Sequence, residues 1–591
     1  MREGAGASTD LLSNQSTPSK SEQPGRNLFA ARLVGKLTSD SKQAQYLGLA
    51  LLAAICIELS IAIFVTGCPS LNSMVWDLST LLDGGYRVLQ GQRPHVDFYS
   101  PLGLLTLALV AAGMKMGSSS ASAIAYVHVI MLPVLAIWTW ILLRSRVPAF
   151  WAGLVALWVG VLAVTPRSLG WPPPQVSYSM QYNRWGWALL AIMAVELFIP
   201  RRDGRQRATA GLSTGIITGL LLFLKINYFG VAAMAIAIRL AWRGVNWRWL
   251  AGAATGCAAV AAAGFAYLNF DFAAFAGDLR LLASVQTLSS RVAYCVQLVF
   301  ANAIDLWFLA SAILIAGFWA YPGNGPWRKQ LGPLIAPVSL AALGIVACTA
   351  NFQKFEIPLI PLAVVVIAEQ LRRCQAIGDG ASQIGYLAIC LIGVGMIGPS
   401  LYEDFGTLAA AKGGPSEEEI RQHWPAFDAP PLRALRVSPP VNPVSPGAVL
   451  AALRADAITW REEMGEAYPY PLFVNDGVRL LKPHINAQSH VLVMDLSNPF
   501  SVALGLIPPR GDALFWHYGR DFDEQHFPPA KKVFREVTHV MVPKAPVHRS
   551  ATYLLQRIYA GMLATNFHRA AESDLWILYE RNTPSSRPSR F

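Results

Sequence analysis

Charge is what this chain has least of. Asp, Glu, Lys and Arg make up 14% of its 591 residues, against roughly 25% in a soluble protein. Hydrophobic residues account for 53%, and the mean hydropathy is +0.38. The apolar residues gather in runs of about 16 to 22 between residues 45 and 401, near the ~20 residues that span a bilayer. A soluble enzyme and a single-anchor protein are both excluded. Paired cysteines are missing too. The seven cysteines are scattered, with no C-x-x-C, and residues 391–591 contain none, so neither a disulfide framework nor a zinc site follows. The ten histidines make no H-E-x-x-H or comparable spacing, and there is no Walker loop.

The net charge is +12. In a soluble chain that excess would point to nucleic acid. Here much of it sits in short loops between apolar runs, where the positive-inside rule places it. The expected partner is therefore the lipid bilayer, and no nucleic acid.

Residues 1–43 read as a disordered basic leader, too long and polar to precede a cleaved signal peptide. The run 45–66 is then a retained first helix with a cytoplasmic N-terminus. The pairs Arg144/Arg146, Arg201/Arg202 and Arg372/Arg373, with Arg239 and Arg243, fall on one side if 101–118 does not cross the membrane. Eleven spans result: 45–66, 122–143, 148–165, 185–199, 209–225, 228–242, 249–267, 296–320, 331–349, 357–371 and 383–401. An odd count puts the C-terminus outside the cytoplasm. The expected fold is an all-α polytopic membrane domain (44–401), a Pro-rich linker (402–446), a periplasmic α/β domain (447–581) and a loose tail (582–591), set in a bacterial inner membrane. Strands are expected at 490–496, 538–543 and 574–581, with a helix at about 549–564.

The first external loop, 68–100, reads CPSLNSMVWDLSTLLDGGYRVLQGQRPHVDFYS. An acid opens it (Asp77), an amphipathic stretch follows, and G-Q-R-P-H-V-D-F closes it before Pro101-Leu102-Gly103. This segment resembles the first external loop of the GT-C glycosyltransferases that use lipid-phosphate sugar donors, the bacterial type related to the aminoarabinose and galacturonic-acid transferases and protein mannosyltransferases. That loop reads approximately F-D-E, a Tyr-rich helix, G-x-x-P-Y-x-D-F. Here Trp76-Asp77 matches the opening, with Leu78 in place of the second acid. Gly91 to Phe98 match the close, with His95 in place of Tyr. The resemblance covers about 45–400.

It implies an inverting transferase that moves a sugar from a polyprenyl-phosphate donor to a lipid, glycan or protein acceptor in the cell envelope. Asp77 would be the base that takes the acceptor's proton. A carboxylate partly desolvated at the membrane edge suits that task, although the same residue also suits the N-terminus of the following helix. Asp97 is either catalytic or ties the loop together, and Asp83 reads as a solvated helix residue. Lys225, Lys354 and Arg184 are the expected donor-phosphate contacts, with snorkelling the plainer reading for both lysines. Tyr182, Asn183, His95 and Glu356 are the expected substrate contacts, Glu356 also being a natural partner for Lys354. The family leaves room for a divalent cation (Mg or Mn), but Leu78 removes one ligand, so metal independence and no metal-binding residue are expected. The stretch DFDEQH (521–526) reads as a solvated loop, and Asp495 in MDLSNPF as a strand-end cap. A flippase of lipid-linked sugars would show repeated broken helices. A lipid-linked glycan polymerase or ligase would carry a long, Arg-rich late loop. Neither feature is present.

Overall fold

The computed structural model describes Gly35 and residues 41–582, except 118, 204–207, 286–287, 321–331, 350–352, 354, 374–379, 413–426, 438–445 and 456–468. Apolar sequence sets its first part: a helical bundle from Lys42–Thr66 to Gly380–Lys412, followed by a small mixed domain. Each of the eleven apolar runs lies in helix. Among the described residues, four helices are long and apolar enough to cross a membrane: Lys42–Thr66, Ser120–Leu143, Trp247–Tyr267 and Gln383–Lys412. Leu104–Met116, Ala149–Val164, Ala208–Leu224 and Ile335–Thr349 are apolar but shorter. The run expected as one span over 296–320 is broken, its two helices meeting at 70°. At the break the Asn302 side chain donates to the Leu298 carbonyl at 2.9 Å.

The 101–118 segment forms the helix Leu104–Met116. Its 13 residues reach about 20 Å at 1.5 Å per residue, well short of a ~30 Å hydrocarbon core. It packs instead against the loop helix Val75–Leu89. Ala208–Leu224 and Trp247–Tyr267 meet almost backbone to backbone. A Cβ on Gly211 or Gly215 would overlap the carbonyls of Trp249 and Ala253, and one on Gly252 or Gly256 those of Ala208 and Leu212. In a medium as apolar as the side chains, such close small-residue packing holds helices together.

Two helices fix the ends of the bundle. Ala149–Val164 runs from the Arg146 end to the Arg167 end, and Gln181–Phe198 runs back. At the first end, Arg146 pairs with Glu196 at 2.5 Å, Arg243 bonds the Phe198 carbonyl at 2.9 Å and Arg373 the Arg146 carbonyl at 3.1 Å. The basic residues of three separate segments thus cap one end together.

The C-terminal domain sits at the other end. Its four-stranded sheet has the order β1 (Val491–Val493), β2 (His539–Pro543), β4 (Trp576–Arg581), β3 (Phe567–Glu572). β1 and β2 are parallel, with Val491 opposite His539, and the other pairs are antiparallel. β3 is polar, largely exposed and bulged at Arg569/Ala571, so it carried no apolar signature. The domain is stitched to the first loop. Tyr99 bridges Ala513, Gln92 donates to the Pro508 carbonyl at 2.6 Å and Gly511 N–H to the Asp97 carbonyl at 2.6 Å. Asp83, expected to be solvated, is fully buried. Arg87 bonds Asp83 at 2.7 Å and Asp512 of the C-terminal domain at 3.1 Å, because that domain covers the helix face a lone amphipathic helix would show to water.

Candidate functional site

Asp77 lies in the first turn of the helix Val75–Leu89, where the exposed N–H groups favour an anion. Tyr182 likewise lies in the first turn of Gln181–Phe198. Each helix is launched by a methionine in the left-handed region, Met74 at φ 46° and Met180 at φ 51°. That backbone is uncommon for a side chain of this size and clusters at functional sites. The Ser179 hydroxyl donates to the Asp77 carboxylate, tying the two launch points together.

The opposite wall comes from the C-terminal domain. Gly519, at φ 74°, turns the chain so that Arg520 and Asp521 N–H both bond the His517 carbonyl, at 3.1 and 3.0 Å. Arg520 then reaches Tyr182 Oη at 3.2 Å. The His517 ring lies 4.7 Å from that of His548, whose Nδ1 caps the helix Arg549–Ile558. Asp495 supports this corner, accepting Val547 N–H at 2.8 Å and His548 N–H at 3.0 Å. Between the walls is a cavity of about 530 Å³, lined by Asp77, Ser179, Met180, Tyr182, His517, Arg520, His548 and apolar neighbours including Trp76 and Leu102.

The electrostatics follow from burial. Asp521, read from sequence as part of a solvated loop, is 1% exposed. Burial pushes its carboxyl up to about 7, against the pull of Arg520 and Lys225. Burial also pushes His517 down to about 3, helped by Arg520 and His548, so its ring is neutral. Burial works against the charge of Arg520, but Tyr182, Asp521 and Asp77 outweigh it. Arg520 is a cation.

The remaining expected residues fall elsewhere. Lys225 is buried between two helices with its Nζ 4.9 Å from the Tyr182 ring centroid, beneath the cavity wall rather than on it. Arg184 is locked away: it donates to the Leu162 carbonyl at 3.0 Å and to Asp404 at 3.1 Å, and Arg167 shares that acid at 2.9 Å. Glu356 accepts Gly170 N–H at 3.0 Å and Ser400 Oγ–H at 3.0 Å, with Arg167 at 3.3 Å. Lys354 lies outside the described residues. Asn183 lines a second cavity, of about 390 Å³, with Gly170, Gln353 and Phe355. Asp97 accepts the Arg93 backbone N–H at 2.8 Å and closes the loop. His95 faces Asp278 at 3.0 Å and the Phe275 ring, in a helix, Phe272–Val285, that the spans did not include. Ser179, His517, Arg520, Asp521 and His548 went unselected, since only the tertiary fold brings them to Asp77.

Among the described residues no group of three or more His, Cys, Asp or Glu is placed to hold a metal ion. Asp521, beside the cavity, shares its surroundings with Arg520 and Lys225, cations that would repel a divalent metal ion.

No family model matches the chain, and no curated protein matches it. Among solved structures it is similar to ArnT from Cupriavidus metallidurans bound to undecaprenyl phosphate, with 9% identity over 92% of this chain and 99% of that one and a TM-score of 0.43. It is similar also to the apo state of the same protein, with 10% identity, the same coverage and a TM-score of 0.41. At that identity the likeness assigns no residue a role.

Proposed function

We propose that the chain is a membrane glycosyltransferase that moves a sugar from a polyprenyl-phosphate donor to a cell-envelope acceptor, a lipid, glycan or protein. The observation that carries this is the cavity itself, with a carboxylate, Asp77, and a cation, Arg520, lining one space at the bundle end away from Arg146, Arg243 and Arg373. The positive-inside rule puts that end outside the cytoplasm, where lipid-linked rather than nucleotide-linked sugars serve as donors. This corresponds to an inner-membrane protein with its C-terminal domain in the periplasm.

The chemistry needs few groups. The acceptor hydroxyl gives its proton to Asp77 as its oxygen attacks the anomeric carbon. The bond from that carbon to the phosphate oxygen breaks, its electron pair leaves with the phosphate, and configuration inverts. Positive charge near the departing phosphate stabilises the negative charge it develops. Ser179 orients the base.

The test is sugar transfer in membranes carrying wild type or Asp77→Asn, with folding checked by monodispersity in detergent. We expect transfer to fall at least 100-fold, the lower end of what a positioned general base contributes. Undiminished transfer by the well-folded variant would remove Asp77 as the base. No transfer by wild type, with lipid-linked sugar retained on one leaflet in cells lacking the protein, would favour a flippase.

A further inference from the structure

Asp77 and Arg520 are the two charged residues among the described residues lining the cavity. They come from opposite ends of the chain and sit on opposite walls. An anion entering this space is repelled by Asp77 and attracted by Arg520, so the two walls are chemically unequal. Lys225 does not line the cavity and lies under the Tyr182 ring. Arg184 is committed to Asp404. The guanidinium carries five N–H donors in a planar fork suited to phosphate; the contact at 3.2 Å to Tyr182 Oη fixes its direction, and the nearby Asp521 and Asp77 sustain its charge. Beside it stand the His517 and His548 rings, and His517 Nδ1 is buried with no hydrogen-bond partner among the described residues. A polyhydroxylated group next to the phosphate would supply one.

We propose that the C-terminal domain furnishes the donor headgroup site, with Arg520 contacting the phosphate and His517 and His548 flanking the sugar. Asp77 is thereby left to the acceptor. The assignment rests on the donor class proposed above. It makes the domain a substrate-binding half of the site rather than a lid, and it replaces the membrane-domain residues expected to hold the phosphate.

The experiment is equilibrium binding of radiolabelled undecaprenyl phosphate to the full-length protein in nanodiscs, with undecaprenol as the phosphate-free control. Wild type should prefer the phosphate. Arg520→Gln should weaken phosphate-lipid binding roughly 10- to 100-fold, the loss of a charge-assisted hydrogen bond, and leave undecaprenol binding unchanged. Arg520→Lys should recover part of the loss, and Gly519→Ala, which strains the turn at φ 74°, should weaken binding with every side chain retained. His517→Ala should raise the KM for the sugar-bearing donor while undecaprenyl phosphate binds as before. Binding by Arg520→Gln within twofold of wild type overturns the proposal. If that variant does not fold, wild-type binding by both Arg520→Lys and Gly519→Ala overturns it. No preference for phosphate in wild type overturns the donor class, and this assignment with it.

Discussion

Ser179 shows how much a site residue owes to its neighbours. Its hydroxyl bonds the Asp77 carboxylate, and hydrogen bonds to charged groups contribute about 1.5–3 kcal/mol. Ser179→Ala frees the base to rotate without removing it, so transfer should fall about 10-fold with the acceptor KM unchanged. A steady-state comparison checks this, and a kcat equal to wild type would make the contact incidental. Asp77 was singled out by the resemblance of its loop and by its place at the membrane edge, and in the structure it lines the cavity. Asp83 was misread. Six residues on, in the same helix, the local pattern is that of a solvated face, and what buries it lies more than 400 residues away at Asp512. Arg184 had the right position along the chain, but Asp404 claims it.

At the scale of elements, apolar run length located the helices but not their contacts. The 13-residue Leu104–Met116 was set apart because the Arg clusters fall on one side only if it does not cross. The break at Asn302 was missed because no proline or glycine stands beside it. β3 was missed because a polar edge strand has no alternation to detect. The glycines spaced by four in Ala208–Leu224 and Trp247–Tyr267 went unremarked in the sequence, and the structure makes them a contact. Gly215→Val should force these helices apart and cost about 1–3 kcal/mol, as overpacking does, lowering the temperature at which the detergent-solubilised protein loses monodispersity by several degrees. Ala208–Leu224 ends at Lys225 under Tyr182, so transfer should fall with it. An unshifted melting temperature would mean the bilayer-facing helices tolerate separation.

For the molecule as a whole, the joint between bundle and C-terminal domain sets the pH dependence. Arg87 faces two acids, Asp83 and Asp512, in a dry interface. One cation neutralises one carboxylate, so the triad is best balanced with a proton on the other. Burial is the main cause, and with Asp83 it holds Asp512 up at about 7, against the pull of Arg87. The folded protein therefore binds a proton that the unfolded chain, with an acid near 3.9, releases. That stability is fully present below the unfolded value and is lost as pH rises through about 7. Asp521, also held at about 7 by burial against Arg520 and Lys225, adds to the same slope. Thermal melts should show stability declining from pH 5 to 8, and Asp512→Asn, which keeps a neutral side chain at every pH, should flatten that decline. An equal slope in the variant would place the titration elsewhere. The sequence-level reading of a bundle followed by an α/β domain needed only composition, whereas the meeting of His517, Arg520 and His548 with Asp77 is long-range packing that no local pattern encodes. That separation also has a consequence in time. The ribosome makes Asp77 early and His548 more than 400 residues later, on the order of half a minute or more at 5–20 residues per second. Through that interval the bundle can enter its membrane carrying half a site, so the growing chain has no complete cavity with which to act on lipids before His548 has been made.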